Sequence, residues 1–112
     1  MEERDCLVAL VTTPGADAES MAERIVESGL AACANIIPGV QSIYRWQGTV
    51  ERAKEAMLIL KTVGSALEPL NDLLREIHPY EVFELVALPI SGGNPAYLNW
   101  IASSVSAGRQ PD

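Results

Sequence analysis

Good metal donors and positive charge are what this chain has least of. In 112 residues there is one histidine and there are two cysteines. Cys6 and Cys33 lie far apart, without CxxC spacing or metal-finger companions, so a preformed tetrahedral zinc site is not supported. Two such thiols read as small core residues of a protein in a reducing compartment, and the expected location is cytoplasmic. Eight basic residues face fifteen acidic ones, for a net charge of -7. That balance disfavours a phosphate backbone or an anionic membrane surface, and neither nucleic acid nor membrane is expected as a partner. The start of the chain, Met1 to Asp5, is acidic and leads into only a short apolar run, so no signal peptide or membrane span is expected. No nucleophile has a recognisable base and orienter, and Gly92-Gly93 before Asn94 is a turn and helix cap rather than a phosphate loop. A non-enzymatic protein is expected.

The residues present alternate between strand and helix patterns. Cys6 to Thr13 is a near-continuous apolar run of β formers, suited to a strand central in a sheet or covered on both faces. Pro14-Gly15 ends it, and Asp17 is placed to cap a helix with Ala18, Met21, Ala22, Ile25, Val26 and Leu30 inward. Ser28-Gly29 stops that helix. From Ala31 the chain turns extended again, with Pro38-Gly39 marking a bulge or bend. Ser42 to Thr62 reads as one long β-hairpin about Gln47-Gly48. Ser65 and Glu68 have the form of a capping box ahead of the stripe Leu67, Leu70, Leu73, Leu74 and Ile77, a helix that ends at His78 because Pro79 follows. Glu84 to Ile90 is a fourth strand, with Pro89 suggesting an edge or a strand end. Asn94-Pro95 opens a last helix with Leu98, Ile101, Ala102 and Val105 inward, and Ser106 to Asp112 is a polar tail.

The order β-α-β-β-α-β-α fits a single α+β domain over residues 1–112. Its expected form is a ferredoxin-like split βαβ sandwich, with an antiparallel sheet, a long central β-hairpin and a C-terminal helix. The helices are expected on one sheet face only. Met57, Leu58, Ile59 and Leu60 nevertheless put apolar side chains on both faces, and the hairpin projects. A projecting hairpin with an apolar base needs a cover, most simply further copies of the same chain.

Polar residues left over from the core pattern are Arg45, Glu55, Lys61, Thr62, His78, Tyr80 and Glu84. Across a subunit boundary, with Trp46 beside them, they would line a cleft for a small anionic ligand held by Arg45 and Lys61, with Glu55, Glu84 and His78 as proton carriers or ligands. The competing reading makes the charged ones interface ion pairs. His78, at a helix end, suits the last carbonyls and the helix dipole. Trp46 and Trp100 suit an interface or core. The donors of note for a metal are Cys6, Cys33 and His78, with Met21 and Met57 as weak extras, and the expected copper site is a modest-affinity one at His78 with a carboxylate, or at an accessible Cys33.

Several ordered motifs resemble one family: T-T-P at Thr12 to Pro14, L-A-A-C at Leu30 to Cys33, S-I-Y-R-W-x-G at Ser42 to Gly48, Glu55, K-T at Lys61-Thr62, H-P-Y-E at His78 to Glu81, Glu84, and Y-L-x-W at Tyr97 to Trp100. Together they are similar to the CutA divalent-ion tolerance proteins. The resemblance implies a ferredoxin-like homotrimer in which long hairpins of neighbouring subunits pair. It also implies a link to tolerance of copper and other divalent cations; the few good donors of this chain imply, against that, only weak metal binding and no obligatory cofactor. The architecture is also similar to that of PII-type signalling trimers, which makes a small-molecule-binding regulatory module with ligand between subunits the alternative. Two departures stand out. Phe83 replaces a frequent proline, and Val11 and Ile77 stand where some relatives offer a thiol and an imidazole to copper.

Overall fold

A computed structural model describes residues 5–106. Its elements are β1 (Cys6–Thr13), α1 (Gly15–Glu27), β2 (Cys33–Trp46), β3 (Thr49–Val63), a 3-10 turn (Gly64–Ala66), α2 (Leu67–Ile77), β4 (Val86–Pro89) and α3 (Pro95–Ser104). The polar-tail expectation for 107–112 lies outside the described residues.

The four strands form one antiparallel sheet in the order β2-β3-β1-β4. β1 is central, as its apolar run implies, and β4 is an edge strand with Pro89 at its end, where a missing N–H is harmless. The strand is shorter than Glu84 to Ile90, since Glu84 and Leu85 precede the pairing. Alternation sorts the sheet into two faces. Leu7, Ala9 and Val11 of β1 and Ala56, Leu58 and Leu60 of β3 are buried, most of them under Met21, Ala22 and Ile25 of α1 and Leu70 and Leu74 of α2. Each large buried aliphatic contributes about 1.5–3 kcal/mol.

The opposite face is partly covered, a correction to helices on one side only. Leu98, Ile101 and Val105 pack with Cys6 and Val63, paired residues that alternate away from α1 and α2. α3 thus covers one end of the second face. Beyond it, Val8, Leu10, Met57 and Ile59 are half-buried, and Ile37, Val86 and Leu88 are exposed.

The hairpin is longer than ordinary strands require, with 14 and 15 residues in its arms. Gln47 and Gly48 both take positive φ, 48° and 84°, a type I′ turn whose twist matches the strands. Register shifts between Ile37 and Val40, the bulge that Pro38-Gly39 implies, with Gly39 at φ 70°.

Helix starts differ from the sequence reading. α1 begins at Gly15, so Asp17 sits in its first turn instead of capping it. α2 begins after the 3-10 turn with Ala66, not Ser65, at its N-cap position. Val26 and Ala102, expected inward, are exposed. Asn94 does cap α3, its Oδ1 accepting from the Tyr97 N–H at 3.0 Å.

Candidate functional site

The loop after α2 is tied to the sheet by His78. Pro79 turns the chain out of helical geometry, leaving His78 extended and 8% exposed. Its Nδ1 accepts the Tyr80 backbone N–H at 3.0 Å, which leaves the ring proton on Nε2, and Nε2 donates to the Thr12 carbonyl at 2.8 Å. Phe83 stacks on the imidazole with centroids 5.0 Å apart and planes 16° apart. His78 therefore latches the loop to the end of β1, and its ring does not bond the carbonyls of its own helix. The ring offers a metal no lone pair unless one of these hydrogen bonds is given up. Phe83 fills the space over this ring.

Tyr80 extends the latch to the hairpin. Its hydroxyl donates to Glu55 Oε2 at 2.9 Å, and Glu55 is only 7% exposed. Burial, then this hydrogen bond and the charge of Glu55, push the Tyr80 hydroxyl up to about 12, with Tyr44 and Asp17 adding to the negative surroundings. Glu55, His78 and Tyr80 thus do come together, with Thr12, Phe83 and Tyr44 as members that the pattern of leftover polar residues did not single out. Among the described residues, Glu55 has no basic partner.

The other expected cleft residues lie elsewhere in the chain. Arg45 and Trp46 are exposed at the hairpin tip, opposite Val50 and Thr49. Arg45 is five register steps from Glu55, about 17 Å along the strands. Lys61 hydrogen-bonds Asn35 and pairs across the ladder with Cys33, whose thiol is 3.7 Å from the Tyr97 hydroxyl. Thr62 is buried, its hydroxyl donating to the Leu30 carbonyl at 2.7 Å, a structural bond beneath α1. Glu84 is half-buried in the loop before β4. Within one chain, Arg45, Glu55 and Lys61 do not form a network. A cleft that uses all of these residues can only be assembled from more than one chain.

Cys33 and His78 are also separate. Cys33 sits opposite Lys61, while Thr12, which holds His78, sits opposite Met57, four residues or about 13 Å further along β3. No group of three histidine, cysteine or carboxylate side chains is placed to hold a metal among the described residues. The donors present do not fit a tight, preformed metal centre.

Residues 7–104 match the sequence profile of the CutA1 divalent ion tolerance protein. The chain belongs to the CutA1 family. A CutA1-family relative, the chloroplastic CutA protein of Arabidopsis thaliana, is 46% identical over 88% of this chain and 54% of its own length. The chain spans about half the length of such plant and animal relatives. The divalent-cation tolerance protein CutA of Thermus thermophilus is 47% identical over 84% of this chain and 92% of its own. A solved structure of the Thermus thermophilus protein superposes with a TM-score of 0.88, covering 90% of this chain and 99% of that one at 44% identity. The PII-like protein CutA from Nostoc, solved in apo form, superposes with a TM-score of 0.84 at 30% identity, over 89% of this chain and 97% of that one. The CutA1 fold and the ferredoxin-like, PII-like architecture are therefore those of this chain.

Proposed function

We propose that the protein is a non-enzymatic homotrimer of the divalent-cation response that binds copper and related ions weakly, in the cytoplasm. The observation that carries this reading is how the reactive groups are occupied. Both nitrogens of the sole histidine hold backbone groups, and the Glu55 carboxylate accepts from Tyr80. A metal at His78 competes with the Tyr80 N–H for Nδ1, so binding opens the latch and is weak and poorly selective, with carboxylates completing the shell. Assembly draws support from the apolar side chains on the second sheet face and from Ile43, Tyr44, Trp46 and Val50 on the hairpin, all exposed in one chain. Native mass spectrometry is expected to report three chains. Calorimetric titration with copper(II) is expected to give a dissociation constant above about 1 μM, weakened further in His78→Ala. Tight stoichiometric metal in protein purified without added ions, or copper binding indifferent to His78→Ala, counts against the reading.

A second reading, a PII-like module with a small anion between subunits, draws on Lys61. Lys61 is half-buried as a residue and its ammonium has a neutral partner, Asn35, with Cys33 and Tyr97 close by. A thermal-shift screen over nucleotides and metabolites, repeated with Lys61→Ala, tests it. A stabilising anion whose effect Lys61→Ala removes would favour this reading over the first.

A further inference from the structure

A groove of about 720 Å³ runs along the flank of α2 and contains none of Arg45, Glu55, Lys61 or His78. Its size is that of an ordinary small-molecule site. The room comes from Ala87. This residue pairs with Ala9 across the ladder and shares its face, so it lies on the side of the sheet that α1 and α2 cover. Ala9 is fully buried there, yet Ala87, with only a methyl group on the edge strand, stays half-buried. Leu67 at the start of α2, and Phe83 and Leu85 in the loop before β4, complete a half-buried apolar floor. The loop wall is fixed in advance, because Phe83 stacks on the His78 ring, which is itself bonded to Thr12 and Tyr80. Two carboxylates, Glu68 and Glu81, stand exposed at the margin, and no basic residue lines the groove. Among the described residues, neither carboxylate makes an ion pair.

We propose that this groove is a binding site for a small organic cation, an ammonium or guanidinium group carried on an aliphatic or aromatic body. The body displaces water from Leu67, Phe83, Leu85 and Ala87, while the cationic head stays in solvent beside Glu68 and Glu81. Exposed ion pairs are weak, so the apolar contact supplies most of the affinity and the two carboxylates supply the choice of charge. A metal ion is a poor occupant, since the floor offers it no ligand and no trio of donors gathers there among the described residues. An anion is repelled both by the two carboxylates and by the net charge of -7. The site is therefore separate from a copper ion at His78 and from an anion at Lys61, and its occupation requires neither.

The test follows backbone amide shifts in heteronuclear NMR spectra of the full chain. Phenethylammonium is the probe, with phenylethanol as its neutral counterpart and phenylpropionate as its anionic one. The amine is expected to bind with a dissociation constant on the order of 1 mM and to shift amides within residues 64–71 and 81–87. The alcohol is expected at the same amides about threefold or more weaker, and the carboxylate not at all. Glu68→Gln combined with Glu81→Gln is expected to lower the amine to the affinity of the alcohol and to leave the alcohol unchanged. Val82→Lys, at a groove position 69% exposed, adds a cation to the margin without entering the core and is expected to weaken the amine by about threefold or more. Ala87→Leu fills the floor and is expected to abolish binding of both amine and alcohol; if circular dichroism shows that chain to be unfolded, Val82→Lys carries the test. Amine shifts spread over the acidic surface of α1, equal affinity for amine and alcohol, or indifference to both the glutamine pair and Val82→Lys overturns the proposal. So does a groove whose amides shift on dilution of the protein and not with amine, which places a second copy of the chain there.

Discussion

His78, Tyr80 and Glu55 form a chain of single hydrogen bonds from the end of β1 through the loop to the hairpin, so each bond has a separable effect. The Tyr80 hydroxyl is pushed up to about 12 from an ordinary 10.0. The folded chain keeps that proton to higher pH than the unfolded one, so the stability it contributes is complete below pH 10 and is lost as pH rises through about 12. Melting temperature followed from pH 9 upward is expected to fall less steeply in Tyr80→Phe than in the unaltered protein, and equal slopes would show that the bond does not persist in solution. Thr13, fully buried, has a hydroxyl without a hydrogen-bond partner. Removing an unsatisfied buried polar group while keeping its shape recovers its desolvation cost, so Thr13→Val is expected to stabilise the chain by about 1–3 kcal/mol in urea unfolding. A loss of stability instead would mean that the hydroxyl finds a partner in the molecule at work.

The hairpin is where local chemistry and architecture meet. Its turn places a glutamine at φ 48°, a conformation that an L side chain other than asparagine or aspartate enters at some expense. Gln47→Asn retains the type I′ turn and relieves part of that strain, so a gain of up to about 1 kcal/mol in folding free energy is expected by chemical denaturation, with no change in assembly. A destabilised Gln47→Asn chain would indicate that the glutamine side chain makes a contact worth more than the strain. At the other end of the hairpin, Leu58 and Leu60 are wholly buried while Met57 and Ile59, which alternate with them, are half-exposed. The same strand thus closes the core of its own chain and offers a second apolar surface.

For the whole molecule, that second surface decides between a self-sufficient chain and a subunit. Ile59 lies on it with Val8 and Leu10, beyond the reach of α1 and α2. Ile59→Asp has a small expected effect on a lone chain, which can solvate the carboxylate, and a large one on a trimer that buries it, where an unpaired ion costs several kcal/mol. Light scattering of Ile59→Asp is expected to show folded, dissociated chains. An intact trimer would place the interface elsewhere on the molecule.

Much of the architecture was legible because short-range chemistry enforces it. The run Cys6 to Thr13 has the β-branched density of a central strand, Pro38-Gly39 cannot continue a ladder without a bulge, Gln47-Gly48 closes a tight turn, and Pro79 ends α2 at His78. The motifs likewise identified the family that the sequence profile and the solved structures show. The site was legible only as a set of residue types. Arg45, Glu55 and Lys61 stand out together in the sequence as charges without a place in the core, but register puts them at different points of one long ladder. His78 looked like a helix-end group and a metal donor, because no local pattern reveals that its two nitrogens would meet the Thr12 carbonyl and the Tyr80 N–H. Capping held at α3, where Asn94 accepts from the Tyr97 N–H, but not at α1 and α2, where the helix start depends on how β1 and the 3-10 turn deliver the chain to it, and that is set by the sheet. Propensity and turn chemistry act over a few residues and determined the elements. Which lone pairs stay free, and which charges face one another, depends on strand register and packing between residues tens of positions apart, and only the tertiary structure decided it.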